Sequence, residues 1–305
     1  MSKPLTIIVT GSSGLVGSAL IKHLANSGNR IRAFQRRPPV LERSGVEYVH
    51  FNLADVRDEG YEGADILIHC AYQLAGSNNS REGGEDLDES AARAIIALSK
   101  KYGIKIIYLS STSADDAAHS RYAKSKSKIE RLFDINHDLI LRLGLVVGGE
   151  GGLFGRLQAN LRRFKIIPLL GGGRQRVQTL HLEDFCLVVD EAIEKKVVGV
   201  YSIAHPDGVF MHEIYKGISH TVGVRPYFIS VPLGIAYGIT HPLEKMGIKL
   251  PFASDNILGL YDLRIADVKQ YYQRFSVPLR DWRSSLREYK VGDGASSHGD
   301  CSVVK

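Results

Sequence analysis

The chain has 305 residues, 44% of them hydrophobic and 24% charged, with 39 basic and 33 acidic side chains. That balance fits an ordinary globular protein and excludes a disordered one. A net charge of +6 without a long basic block argues against nucleic acid as a partner and suits an anionic small molecule. Cys70, Cys186 and Cys301 lie far apart with no metal-ligand spacing. They are expected to be reduced thiols of a cytoplasmic protein, and no metal is expected. Met-Ser-Lys-Pro leads straight into an apolar strand, without a signal-peptide pattern. The apolar stretch Tyr227–Ile239 contains Pro232 and is too short to cross a bilayer, so neither a span nor a membrane partner is expected.

Taken in chain order, Leu5–Thr10 reads as a first buried strand and Leu15–Ser27 as a helix stopped by Gly28. Arg30–Gln35, Val46–Phe51 and Ile66–Cys70 follow as strands two to four. The polar stretch Gly76–Gly84 predicts a loop and Asp88–Tyr102 a helix. Lys105–Leu109 predicts a fifth strand, Tyr122–Phe133 a helix and Leu139–Leu143 a sixth strand. This alternation predicts a Rossmann-type α/β fold, a doubly wound parallel sheet.

Gly148, Gly149, Gly151 and Gly152 then predict a break, followed by a basic helix over Leu153–Phe164 and a second glycine cluster at Gly171–Gly173. Gly199–Ile203 predicts a strand that rejoins the sheet. The last third is expected to be helical, punctuated at Pro232, Pro242 and Pro251, with a closing helix over Arg280–Tyr289. The expected organisation is a dinucleotide-binding domain over 1–147, rejoined by about 178–204. A smaller mixed C-terminal substrate portion takes 148–177 and 205–290, and 291–305 is a flexible tail.

The strongest local signal is Thr10-Gly11-Ser12-Ser13-Gly14-Leu15-Val16-Gly17, set between the first strand and first helix. Gly11 allows a tight turn, Gly14 a close approach of backbone to a pyrophosphate, and Gly17 close helix–strand packing. The helix start adds N–H donors and a positive dipole end, so Gly11, Ser13, Gly14, Leu15, Val16 and Gly17 are expected to bind a dinucleotide. The second strand ends in Gln35-Arg36-Arg37, where an acid would hold the ribose of NAD. Arginine forks match a 2′-phosphate instead, so Arg36 and Arg37 point to NADP, with NAD the alternative. Asn52 and Leu53 after the third strand are expected near the adenine.

Ser110-Ser111-Thr112 ends the fifth strand, and Tyr122-Ala123-Lys124-Ser125-Lys126 follows on a helix. Four-residue spacing puts Tyr122 and Lys126 on one face. A phenol with an ordinary pKa near ~10 needs about three units of lowering for acid–base work near neutrality. An ammonium at ~4 Å and an effective dielectric of ~20 supplies about that much.

In this order the segments resemble the short-chain dehydrogenase/reductase superfamily, in its extended or atypical branch of NAD-dependent epimerases and dehydratases. The likeness rests on Thr10–Gly17, Asn52–Asp55, His69-Cys70-Ala71-Tyr72, Leu109–Thr112, Tyr122–Lys126, Leu141–Gly148 and His181–Asp184. Arg156–Asp184 is most similar to the group of the reductase-like accessory subunit of respiratory complex I. The resemblance implies Tyr122 as acid/base, Lys126 on the nicotinamide ribose and lowering the tyrosine pKa, and Thr112 or Ser111 on the reacting oxygen. It also places Cys70, Ala71 and Tyr72 beside the cofactor.

Three departures count against a nucleotide-sugar substrate. Only ten positions separate Thr112 from Tyr122, Asp88 stands where members often have Asn, and Leu145 where sugar-nucleotide enzymes place Asn. Arg156, Arg162, Arg163, Arg174 and Arg176 are candidates for an anionic group, while His181 and Asp184 are expected to fix local structure. The expected function is NAD(P)-dependent oxidation or reduction of a carbonyl or hydroxyl on a small-molecule substrate. A nucleotide-sugar epimerase or dehydratase and a non-catalytic NADP-binding scaffold are the alternatives, with a homodimer left open.

Overall fold

The computed structural model describes residues 4–39, 43–73, 87–148, 152–248, 250 and 253–286. The Gly76–Gly84 loop, Gly149, Gly151, Pro251, the end of the closing helix and the tail with Cys301 lie outside them. The chain begins as a βαβ repeat: β1 (Thr6–Thr10), α1 (Leu15–Asn26), β2 (Arg30–Gln35), β3 (Val46–His50) and β4 (Ile66–His69). There follow α2 (Leu87–Tyr102), β5 (Lys105–Ser111), α3 (Arg121–Glu130) and β6 (Leu139–Leu143). β1 and β4 are β-branched or aliphatic runs with almost no polar face, because both sides of a parallel sheet are covered by helices.

Beyond β6 the elements shorten. β7 (Leu145–Val147), α4 (Gly152–Arg163), β8 (Ile166–Leu170), β9 (Arg176–Val177) and β10 (Thr179–His181) lead to α5 (Leu182–Glu194) and β11 (Gly199–Ile203). β12 (Val209–Phe210), α6 (Met211–Thr221), β13 (Tyr227–Val231), α7 (Leu233–Lys245), α8 (Ser254–Tyr261) and α9 (Lys269–Arg274) follow. The seven-stranded parallel sheet runs β11-β6-β5-β4-β1-β2-β3. Strand order reverses between β1 and β4, the crevice where doubly wound sheets bind ligands. One face is covered by α1 and α5, through Leu20, Leu24, Phe185 and Val189. The other is covered by α2 and α3, through Ala92, Ile95 and Ile129. A third cluster, including Leu157, Leu161, Ile167, Ile214 and Ile218, forms the core of the C-terminal portion.

Several boundaries shift by a single residue, and the ends of β5 and α3 shift further. β5 continues through Ser111 because its ladder with β6 pairs Ser110 with Arg142 and Ser111 with Leu143. α3 ends at Glu130 rather than Phe133, where the chain tightens into three-residue turns from Leu132 to Ile129 and Phe133 to Glu130. The apolar Tyr227–Ile239 stretch divides at Pro232 into β13 and α7. Among the described residues no helix is long and apolar enough to cross a membrane.

Candidate active site

The cofactor end is built from very close backbone approaches. Gly11 has φ +65°, and a Cβ there would stand 2.8 Å from the backbone of Ala71. A Cβ on Gly17 would come within 2.3 Å of the Gly11 carbonyl oxygen, so only glycine lets α1 close onto the turn. α1 starts at Gly14 with no side-chain cap and no acid in its first turn. Its N–H groups and positive dipole end therefore face the cleft uncompensated by side chains.

Behind this turn the strand ends are locked together. Thr10 Oγ1 accepts from the N–H groups of Cys70 and Ala71, each at 3.2 Å, and lies 2.7 Å from His69 Nδ1. Burial, then the charge of Lys126, pushes His69 down to about 3. The ring is thus neutral, and the Thr10 hydroxyl donates to Nδ1. Ser12, buried and missing from the expected site, donates to Gln35 Oε1 at 2.7 Å and ties the turn to the end of β2. Ser13 is exposed beside it.

Arg36 and Arg37 are exposed and lie outside the cleft wall. Neither takes part in an ion pair among the described residues. Asn52 closes its own turn, with Oδ1 accepting from Ala54 N–H at 3.1 Å, and Leu53 packs on the cluster around Phe34 and Phe51. Cys70 lines the cleft, its thiol pushed up to about 12 by burial and hence neutral; Cys186 behaves alike.

Opposite this end stands α3. Tyr122 is half-buried and Lys126 buried, on one face as their spacing requires. Ser111, rather than Thr112, is the hydroxyl that acts on the Tyr122 phenol, and its Oγ is hydrogen-bonded to Ser113 Oγ at 2.7 Å. The Thr112 side chain still borders the cleft, while its N–H donates to the Leu143 carbonyl at 3.0 Å. The Lys126 ammonium donates to the Leu109 carbonyl at 2.9 Å. It also lies 4.5 and 4.8 Å from the ring centres of Tyr72 and Tyr108. Tyr72 in turn meets Tyr122 edge-on, with ring centres 5.1 Å apart.

The electrostatics here depart from the expected pairing. Burial raises the Tyr122 pKa, the Ser111 hydrogen bond partly offsets this, and Lys126 is not what lowers it. Burial pushes Lys126 itself down to about 8, against the raising effect of Asp88, Cys70 and Glu130. Asp88 is buried on α2, where Oδ1 accepts from the Gln73 N–H at 3.0 Å.

Two further carboxylates, absent from the expected site, come from the C-terminal portion and hold the start of α3. Asp255 on α8 accepts from Arg121 N–H at 2.7 Å and Tyr122 N–H at 3.3 Å. Asp262 accepts from His119 N–H at 2.7 Å and Ser120 N–H at 2.8 Å. Burial raises the Asp262 pKa, but these bonds outweigh it and hold the group below the usual range. Nothing local in the sequence announces either contact, since more than 130 positions intervene.

The cleft measures about 1770 Å³ and joins both ends, with Gly11, Gly14, Ser111, Tyr122, Lys126 and Leu145 on its walls. Its far wall comes from the C-terminal portion, including Tyr215, Leu260 and Leu263. His181 also borders it, but its Nδ1 accepts from the Glu183 N–H and caps α5. Asp184 is paired with Arg280 at 2.6 Å. Of the other arginines expected near an anion, Arg162 borders the cleft and Arg176 donates to the Gly208 carbonyl. Arg163 stacks on Phe164, while Arg174 is exposed; the side chain of Arg156 lies outside the described residues. No metal-ligating cluster occurs among the described residues.

Comparison with known proteins agrees with this architecture. Residues 7–204 match the NAD dependent epimerase/dehydratase family. The chain is 30% identical over 240 residues to ceramide reductase of Caulobacter vibrioides, covering 74% of this chain and 73% of that protein. It is 23% identical over 261 residues to NADH dehydrogenase (ubiquinone) 1 alpha subcomplex subunit 9, mitochondrial, of Arabidopsis thaliana, covering 80% of this chain and 64% of the other. In three dimensions it is similar to the epimerase Mth375 of Methanothermobacter thermautotrophicus. The TM-score is 0.76 at 14% identity, over 95% of this chain and 92% of that one, a likeness of fold alone. With its reversed strand order, glycine turn and Tyr–Lys helix, the chain belongs to the NAD dependent epimerase/dehydratase family, the extended branch of the short-chain dehydrogenases/reductases.

Proposed function

We infer that this protein is an NADP-dependent oxidoreductase that reduces a carbonyl group on a largely apolar small molecule, with Tyr122 as the proton donor. The observation that carries the reading is that Ser111, Tyr122 and Lys126 line the same cleft as the uncapped start of α1. The residues fit a dinucleotide: Gly11 and Gly17 let the turn pack tightly against Ala71 and the start of α1, whose dipole end suits a pyrophosphate. Gly11, Ser13, Gly14, Leu15, Val16 and Gly17 would seat the pyrophosphate, and Arg36 and Arg37 a 2′-phosphate. Asn52, Leu53, Cys70, Ala71 and Tyr72 would border the adenine and nicotinamide ends, and Lys126 would hold a ribose hydroxyl. A bound nicotinamide supplies or accepts hydride.

Burial keeps the Tyr122 phenol protonated at neutral pH, the state needed to give a proton to a carbonyl oxygen that gains negative charge. Ser111 orients the phenol and offers a second hydroxyl to the same oxygen. Lys126, still charged below about 8, adds positive potential to the site. Residues 148–177 and 205–290 act as the substrate portion. The apolar wall they contribute, with Leu260 and Leu263, together with Leu145 of the dinucleotide-binding portion, favours an aliphatic group over a sugar nucleotide, in keeping with the relative named ceramide reductase.

The test is a screen of NADPH oxidation against long-chain ketones, small aldehydes and nucleotide sugars. Turnover on an aliphatic ketone with freely exchanging NADPH is expected. Dinucleotide that survives gel filtration together with nucleotide-sugar turnover would replace this reading by an epimerase. Bound NADPH with no turnover on any carbonyl would replace it by a scaffold.

A further inference from the structure

The side of α7 that faces away from the protein is almost wholly apolar. Ile235 and Ile239, one turn apart, are each 57% exposed, Met246 is 74% exposed, and Gly234, Gly238 and Pro242 share their side. Only Ala236 of this helix is buried. The parallel ribbon of β8 and β13 leads directly into α7, and Leu233 at the helix start approaches Gly171 just after β8. Its outward side carries Ile166, Tyr227 and Ile229, at 57%, 76% and 50% exposure, while Ile167, Leu169 and Phe228 turn inward to the core. Scattered exposed hydrophobics need no explanation, but six large ones on two adjoining elements do.

The charges around these elements have one sign. Residues 163–170 and 225–248 hold four basic side chains, Arg163, Lys165, Arg225 and Lys245, against the single carboxylate of Glu244. Glu244 is itself turned to Ser254, whose N–H and hydroxyl it accepts. These two short segments thus carry half of the chain's net +6. A pocket of about 480 Å³ opens beside Phe228, lined by Lys216, His220 and Arg225 and by no acid. A second copy of the chain would bring the same positive surface against itself, which opposes a symmetric contact. An apolar face rimmed by cations, on a helix of 13 residues, has the chemistry of an interfacial element lying along an anionic bilayer.

We propose that α7 and the β8–β13 ribbon form the face by which this protein docks on an anionic lipid surface. The absence of a stretch long enough to span a bilayer led to the expectation of no membrane partner; a helix lying in the interface needs no such length. α7 packs on α8, and α8 contributes Asp255, Gly259 and Leu260 to the cleft wall. Docking therefore sets the cleft one helix away from the lipid. The consequence that an apolar substrate enters from the bilayer rests on the reductase reading above; the docking does not.

Sedimentation of the full chain with phosphatidylcholine vesicles, with and without phosphatidylglycerol, tests the docking directly. Binding is expected to the phosphatidylglycerol vesicles and to weaken at least tenfold on going from low to high salt. Ile235→Asp with Ile239→Asp should reduce it at least tenfold, and Lys245→Glu about fivefold or more. All three side chains are exposed, so unchanged melting and NADPH affinity certify that the variants are folded. Equal sedimentation with both kinds of vesicle, or none with either, overturns the proposal. So does wild-type binding by the Ile235/Ile239 variant, or a dimer of the native chain that this variant abolishes. Normal vesicle binding by a protein that reduces no carbonyl would overturn only the reductase reading, and carbonyl turnover without vesicle binding only the docking.

Discussion

Two helix N-termini meet at the cleft, and the chain treats them in opposite ways. α1 begins with no side-chain cap and no acid in its first turn. α3 begins with Ser120 accepting from Ala123, and with Asp255 and Asp262 accepting from the four successive N–H groups of residues 119–122. Each end has the same unmet donors and the same positive dipole. One is left without a side-chain partner, at a cost in helix stability, and on the proposed function it receives an anion from outside. The other is satisfied internally, which fixes Tyr122 and Lys126 in place and ties them to the C-terminal portion. A helix start can thus serve as a binding site or as an anchor, and what separates the two is whether the fold supplies carboxylates.

The largest expected effect strikes chemistry alone. Tyr122→Phe should lower turnover by about 10²–10⁴-fold while NADPH affinity stays within about twofold, because the proposed cofactor donors lie on α1. Parallel kinetics on Ser111→Ala and Thr112→Val sharpen the point. Ser111 touches the phenol, so its loss should be the more damaging, and the opposite ranking would move the reacting oxygen toward Thr112.

A charge placed on α1 should separate binding from folding. Leu15→Asp adds an acid to the first turn, which favours the helix by about 0.3–1 kcal/mol. The same carboxylate faces the pyrophosphate position and should weaken NADPH binding at least ~100-fold, since two like charges at ~4 Å and an effective dielectric of ~20 repel by about 4 kcal/mol. Fluorescence titration beside thermal melting would show the two effects with opposite sign; unchanged affinity would remove α1 from the cofactor site.

At the other helix the order of effects reverses. Asp262→Ala strands the Ser120 and His119 N–H groups, at a cost of about 2–4 kcal/mol, or a melting temperature lower by about 3–6 °C for a chain of this size. NADPH affinity should change little. The folded pKa of Asp262 is depressed, so its contribution is present above the ordinary carboxylate pKa and lost as pH falls through the lowered one. His69 adds an earlier acid sensitivity. Its folded pKa of about 3 lies far below the ~6.5 of the unfolded chain, so stability is intact above about 6.5 and falls by about 1.4 kcal/mol per pH unit below it, down to about 3. Denaturant melts between pH 7 and 4 would read this slope, and His69→Asn should flatten it.

The smallest effect concerns cofactor choice. Arg36→Ala with Arg37→Ala should cost NADPH about tenfold in affinity and leave NADH unchanged, closing the gap between them. Equal losses for both cofactors would mean that the exposed arginines read only general charge.

Much of this was legible in one dimension because it depends on neighbours in the chain. β2, β6 and β11 fall where their apolar runs end, and the glycine turn has its expected strand–turn–helix setting. α5 has a local signature, with His181 capping it and Glu183 and Asp184 in its first turn, but a histidine cap is an unusual start signal. Ser12 and Ser13 look alike in sequence, since only the neighbouring end of β2 distinguishes the buried hydroxyl of Ser12 from the exposed Ser13. Asp255 and Asp262 could not be read at all: an acid before or after a helix looks solvated until the fold sets it against another helix's donors.

The sequence by itself determined the family, the parallel sheet and the residue types of the cleft, because period, turn chemistry and motif spacing act over a few residues. Tertiary structure alone decided that Ser111 meets the phenol and that α3 is anchored from the far end of the chain. It also decided that Lys126 faces aromatic rings and that the apolar side of α7 looks outward. Each of these depends on burial and on contacts between distant segments, which chain packing sets and no local pattern encodes.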